Sequence, residues 1–234
     1  YGKDYKIGGH PWADITTFSF HPVKTMTTGE GGMLVTDSDE YARRARHLRG
    51  HGITREAEEF IGLGGDTTEL QEQGGWYYEM QSLGYNYRIT DLQCALGRSQ
   101  LKKLPSFIER RRAIVAQYNA AFADLAWLQT PQTLNAENAA HISWHLYSVQ
   151  IDFKALGLSR SEAMQRLRDQ GVGSQVLYIP VHLQPYYRKE FGYSVGKCPN
   201  AENYYEQALS LPLFPKMSDD DVDTVIRNVQ KIAQ

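Results

Sequence analysis

One lysine stands where chemistry could be done. Lys24 closes a tight HPVK turn after a β-forming run at residues 14–20; a Gly-rich step (Gly29, Gly31, Gly32) and a second β-forming run at 33–36 follow. A lysine held on a turn between buried strands can lose hydration, and its amine can then act as a nucleophile toward an aldehyde. That is the protein's half of a pyridoxal phosphate (PLP) site. The spacing alone favours a solvated surface lysine, the ordinary state of this residue. Ser19, five residues earlier, is either a hydroxyl donor or a strand filler, and His21 with Pro22 fixes the turn. Asn86 and Arg88 follow in GYNYR, where an asparagine before a strand is also an ordinary turn residue. Tyr178, His182 and Tyr186 are spaced four apart in YIPVHLQPYY, but Pro180 and Pro185 rule out one continuous helix, so the spacing alone assigns no common face. A His/Tyr cluster can suggest a metal, yet no second ligand pattern accompanies it and no metal is expected. His141 and His145 flank Trp144 and read as packing.

The elements that must position these groups follow from local patterns. A hairpin-like piece is expected at residues 3–9 and strands on either side of Lys24. A helix is expected over 38–49, with Ser38 as cap and Tyr41, Ala42, Ala45 and Leu48 at helical spacing. Residues 50–81 are Gly-rich and weakly periodic. A loop of that length is functional or mobile, and the mobile reading is preferred to an ordered lid. Thr90 and Asp91 cap a helix over 92–103, and Pro105 should end it and begin a second, 106–124, with Arg110, Arg111 and Arg112 in solvent. This helical pair links two domains, bounded by the irregular stretch 130–140. Beyond it come a strand at 144–151, a helix at 159–170 with a Ser159/Glu162 capping box, a strand at 172–179, and helices at 200–210 and 218–230. Asp219, Asp220 and Asp221 sit at the positive end of the last.

Composition narrows the function classes. The 234 residues are 41% hydrophobic and 22% charged with net charge −2, enough apolar material for a sizeable core and no reason to expect nucleic acid or an anionic membrane. No signal-like segment is seen, and no apolar run approaches the roughly 20 residues of a spanning helix. Cys94 and Cys198 make no disulfide framework and no metal spacing, so a cytoplasmic setting is expected. The 15 tyrosines and four tryptophans would suit stacking on a sugar or base, although core filling accounts for most aromatics.

SFHPVK followed by TTGEGG resembles the lysine segment of the DegT/DnrJ/EryC1/StrS sugar aminotransferases. The resemblance continues through GYNYR, ALGRSQLKKL (95–104), SWHLY (143–147), YIPVHLQPYY and LSLPLFPKMSDDDV (209–222), in the family's order over nearly the whole chain. The subgroup it most resembles is the transaminases of pseudaminic acid synthesis. The resemblance implies an α/β, type I PLP-dependent aminotransferase fold, with residues 1–125 completing the large PLP-binding domain and linking helices, and 126–234 forming the small α+β domain. It implies Lys24 as catalytic residue and PLP attachment point, with Ser19 and Asn86 as further PLP contacts. His21, Arg88, Tyr178, His182 and Tyr186 become contacts to substrate. The partners it implies are glutamate as amino donor, a UDP-linked 4-keto-6-deoxy-N-acetylhexosamine as acceptor, and a second copy: Asn86 and Arg88 would serve the neighbouring subunit's site in a homodimer. Family members are longer. The segment that would precede YGKDYKIGG carries, by resemblance, the acid on the pyridine nitrogen, a stacking aromatic and a phosphate-binding helix start, so the chain alone is expected to be inactive.

Two other readings compete. A PLP-dependent sugar dehydratase shares the fold but has histidine at the lysine position, so Lys24 favours amino transfer. A truncated chain could also be a non-catalytic remnant that dimerises or binds nucleotide sugar.

Overall fold

A computed structural model describes residues 5–62, 75–133 and 141–232. The chain divides into two compact units, Tyr1–Lys102 and Lys103–Gln234. The division falls inside the helix expected to link the domains.

In the first unit, β1 (Thr16–Ser19) and β2 (Gly32–Val35) pair antiparallel with Ser19 opposite Gly32. Helix α1 (Asp39–Arg49) starts where expected, the Ser38 hydroxyl accepting from Tyr41 N–H at 3.3 Å. Arg46, His47 and Arg49 fill its last turn, where cations meet the negative end of the helix. Part of the expected 50–81 loop is structured: β3 (Ile53–Thr54) pairs with β4 (Glu79–Met80), and a 3-10 turn spans Ala57–Glu59. The Glu79 carboxylate is buried among the N–H groups of Ile61 and Gly62 (both 2.8 Å), the Tyr77 hydroxyl (2.9 Å) and the Gln81 amide. Burial alone would raise its pKa, but these donors together hold it below the ordinary value. The rest of that loop, 63–74, lies outside the described residues, as do residues 3 and 4 of the expected N-terminal piece and 134–140 of the expected boundary. Residues 6–9 form a turn closed by Gly9 N–H to Lys6 O at 3.0 Å.

The two helices expected around Pro105 are one, α2 (Asp91–Phe122). Proline removes a single donor, and Pro105 lies on an exposed part of the helix where water can satisfy the carbonyl one turn earlier. The Ser106 hydroxyl also caps Lys103 O at 2.8 Å. The arginines that follow are not solvated as expected. Arg110 donates to Met217 O and pairs with Asp219 at 2.9 Å, Arg112 donates to Ile142 O, and Arg111, 5% exposed, donates to His145 O (3.1 Å) and Leu213 O (2.7 Å). Each guanidinium ties a carbonyl that sequence periodicity cannot see.

The second unit is built on an antiparallel sheet in the order β5 (Leu128–Gln129), β6 (Tyr147–Ile151), β7 (Ala208–Leu211). Tyr147, Val149 and Ile151 alternate into the core and meet Tyr118 and Phe122 of α2, Leu167 of α3 (Arg160–Asp169), and Val222, Val225 and Val229 of α6 (Asp219–Gln230). Both capping boxes form, at Ser159/Glu162 and Ser218/Asp221. The strand expected at 172–179 reduces to one bridge, Gln175 to Ser210, because Gly173 precedes it and Pro180 cannot extend a ladder. The helix expected to reach residue 210 stops as α5 (Pro199–Gln207): pairing with β6 buries all four residues of β7, which outweighs local helical preference.

Candidate active site

Lys24 sits in the turn that joins β1 to the Gly-rich step. Its backbone N–H closes the turn on His21 O at 2.9 Å, and Thr28 N–H and the Thr27 hydroxyl both reach Phe20 O at 3.0 Å. The chain after the lysine is thereby folded back on the strand before it. The side chain of Lys24 is half-buried, and its amine makes no ion pair or hydrogen bond among the described residues. Ser19, exposed at the end of β1, accepts weakly from His21 N–H at 3.5 Å; His21 Nε2 stands 3.8 Å from Glu30 Oε1. The turn thus carries an amine, a hydroxyl and an imidazole within six consecutive residues.

What holds this turn lies within TTGEGG and ALGRSQLKKL, but the contact between those two segments carries no sequence signal. Thr28 is 4% exposed, and its hydroxyl donates to Glu30 O at 2.7 Å. Helix α2 rests on the same loop: Gln93 donates to Glu30 O at 2.9 Å, and a Cβ at Gly97 would lie 2.8 Å from Thr28 Cγ2. Only glycine lets the helix approach so closely.

GYNYR runs beside the end of α1. Tyr85 N–H donates to Leu48 O (2.7 Å), His51 N–H to Tyr85 O (2.8 Å) and Tyr87 N–H to Arg49 O (3.0 Å), while Asn86 bridges Gly50. Gly52 is required here: its φ is +67°, and a Cβ would strike Ser82 O. The rings of Tyr85 and Tyr87 stack at 4.9 Å, and alternation along this extended strip sets Asn86 and Arg88 on the other side. Both are exposed, and neither bonds to Lys24, Ser19 or His21 among the described residues.

Tyr178, His182 and Tyr186 belong to the second unit. Tyr178 is 75% exposed on the segment before the 3-10 turn Val181–Leu183, and Tyr186 is exposed on α4 (Pro185–Phe191). His182, 8% exposed, has Nε2 2.7 Å from Glu202 Oε1 of α5. Glu202, twenty residues away with no spacing to flag it, was missed in the sequence. Its carboxylate also accepts from Gly196 N–H (2.8 Å) and Cys198 N–H (3.2 Å), and the Gly196 contact first, then His182, holds it below the usual carboxylate range. Among the described residues no cluster of His, Cys, Asp or Glu forms a metal site, and no helix is long and apolar enough to cross a membrane.

The DegT/DnrJ/EryC1/StrS aminotransferase family model matches residues 3–230, and the chain belongs to that family. The spore coat polysaccharide biosynthesis protein SpsC of Bacillus subtilis (strain 168) is 45% identical over 222 residues, 94% of this chain and 54% of that protein. The aminotransferase TlmJ from Streptoalloteichus hindustanus superposes with a TM-score of 0.78 at 30% identity, over 97% of this chain and 55% of that one. Helicobacter pylori PseC, an aminotransferase involved in pseudoaminic acid biosynthesis, gives 0.77 at 27% identity, over 94% and 53%. A Streptococcus pneumoniae chain named as a sugar aminotransferase is similar in both PMP and PLP forms, 31% and 30% identical, TM-scores 0.77 and 0.76, over 94% of this chain and 53% and 52% of those. The chain spans about half the length of the relatives it matches. Its fold is α/β, shared with the type I PLP-dependent sugar aminotransferases.

Proposed function

We propose that the protein containing this chain transfers an amino group from glutamate to C4 of a UDP-linked 4-keto-6-deoxy-N-acetylhexosamine, with PLP attached through Lys24. The observation that carries this reading is the half-buried, unpartnered Lys24 amine on a turn fixed from both sides, in a chain of this family. The donor set fits the cofactor: a primary amine for its aldehyde and, at Ser19, a small neutral hydroxyl for its phosphate. PLP, when bound, supplies an electron sink at the carbon that gains or loses the amino group.

The residues of this chain do the rest. Lys24 anchors the cofactor until the donor arrives, and its freed Nζ then takes up and returns a proton beside the reacting carbon. Asn86 and Arg88 offer an amide and a guanidinium to phosphate oxygens of a neighbouring subunit's site, which makes the working form a homodimer. His21 reaches the substrate pyrophosphate, and Tyr178, His182 and Tyr186 orient the sugar. Residues 1–125 contribute to the cofactor domain and 126–234 to the smaller one. The substrate class draws support from the pseudoaminic acid role of PseC and the polysaccharide role of SpsC.

The test is amination of the keto-sugar nucleotide by the intact protein with glutamate, followed by mass spectrometry of the product. Wild type should yield the amino sugar and Lys24→Ala should not. A dehydrated sugar without nitrogen, or equal activity in Lys24→Ala, contradicts the proposal.

A further inference from the structure

The geometry points to Glu202 as a positioning residue that fixes His182 with Nε2 protonated and so presents Nδ1 as a hydrogen-bond acceptor for a hydroxyl of the bound sugar. The inference rests on the sugar-aminotransferase reading for the identity of the ligand, but not for the arrangement of the pair. Four contacts determine that arrangement. Glu202 Oε1 lies 2.7 Å from His182 Nε2 and accepts from Gly196 N–H at 3.0 Å and Cys198 N–H at 3.2 Å, while Oε2 accepts from Gly196 at 2.8 Å. Backbone N–H groups can only donate, so both oxygens are committed as acceptors, and an ionised carboxylate has no proton of its own to offer. Nε2 must therefore carry the hydrogen. In the neutral ring Nδ1 is then a bare lone pair, and it has no partner among the described residues. The pair is nearly closed to water, with side chains 9% and 14% accessible, so solvent does not compete for the bond. The chemistry offered to a ligand is that of one directed acceptor, which selects a hydroxyl over an ether or carbonyl oxygen.

Two variants separate this role from that of a mere loop clamp. Glu202→Gln, with its one oxygen in the Oε1 place, still accepts from Nε2 and from the N–H groups of Gly196 and Cys198. Glu202→Leu removes the acceptor and leaves the ring free to take either tautomer. The measurement is nitrogen-15 NMR of histidine-labelled, PLP-loaded intact protein at about pH 8, with the His182 signal assigned by its loss in His182→Phe. We expect wild type and Glu202→Gln to show protonated Nε2 and bare Nδ1. Glu202→Leu should mix the two tautomers and raise the sugar KM about tenfold, with kcat changed less than about threefold. A protonated Nδ1 in wild type at that pH overturns the inference with no variant needed. So does an unchanged sugar KM in a Glu202→Leu protein whose circular dichroism matches wild type. If wild type takes no amino group from glutamate, it is the parent reading that fails, and the spectrum still judges the pair.

Discussion

Gly97→Ala should loosen the lysine turn from a distance, and the structure sets the size of the effect. The added methyl would lie 2.8 Å from Thr28 Cγ2, closer than carbon atoms tolerate. Thr28 cannot simply swing aside: it is 4% exposed and holds the turn through its N–H to Phe20 O (3.0 Å) and its hydroxyl to Glu30 O (2.7 Å). Overpacking of this kind costs about 1–3 kcal/mol. Replacing glycine by alanine inside a helix returns about 0.5–1 kcal/mol, so the net loss should be on the order of 1 kcal/mol. Thr28→Ser deletes the clashing methyl and keeps the hydroxyl. In that background Gly97→Ala should instead stabilise by about 0.5–1 kcal/mol, a coupling of roughly 1–3 kcal/mol between the two positions. Urea midpoints of the four proteins, with unchanged slopes, measure it. If Gly97→Ala is as stable as wild type, or the two changes are additive, the close approach of α2 to the Thr28 loop is wrong.

Arg111→Ala removes the guanidinium that donates to the part-buried His145 and buried Leu213 carbonyls, and should lower stability by about 2–4 kcal/mol in urea unfolding. Ser159 holds the Glu162 carboxyl below its ordinary pKa and Ser218 N–H does the same for Asp221. A depressed folded pKa contributes stability above the unfolded value and loses it as pH falls through the folded one, so the urea midpoint should drop between about pH 5 and pH 3; Glu162→Gln with Asp221→Asn should flatten that drop. Lys24→Ala and Asn86→Ala proteins, each inactive, should regain about a quarter of wild-type activity on subunit exchange, since half the dimers are mixed and each of those has one intact site; no recovery would mean sites complete within one subunit.

Much of the scaffold was legible because it is local. Ser38 and Ser159 announced their helices through side chains that bond within three residues, the acids at 219–221 marked the start of the last, and the strands flanking Lys24 showed as β-forming runs on either side of the turn. What failed was decided by distant partners. Pro105 reads as a break until the long helix around it is seen, and 208–211 reads as helix until β6 claims it as a strand. Arg110, Arg111 and Arg112 look like a solvated run, yet each finds a carbonyl at least thirty residues away. At the site, the turn around Lys24 could be read from its residues, whereas Thr28 against Gly97 and Glu202 against His182 could not, since neither pair carries a spacing signal.

The central claim is that Lys24 is the amine that carries the cofactor. Borohydride reduction of the intact protein after incubation with PLP, followed by peptide mapping, tests it most directly. One stoichiometric phosphopyridoxyl group is expected on the peptide containing Lys24, with loss of the visible absorbance band in Lys24→Ala. Label on another lysine with Lys24 unmodified, or a band that survives in Lys24→Ala, would contradict it.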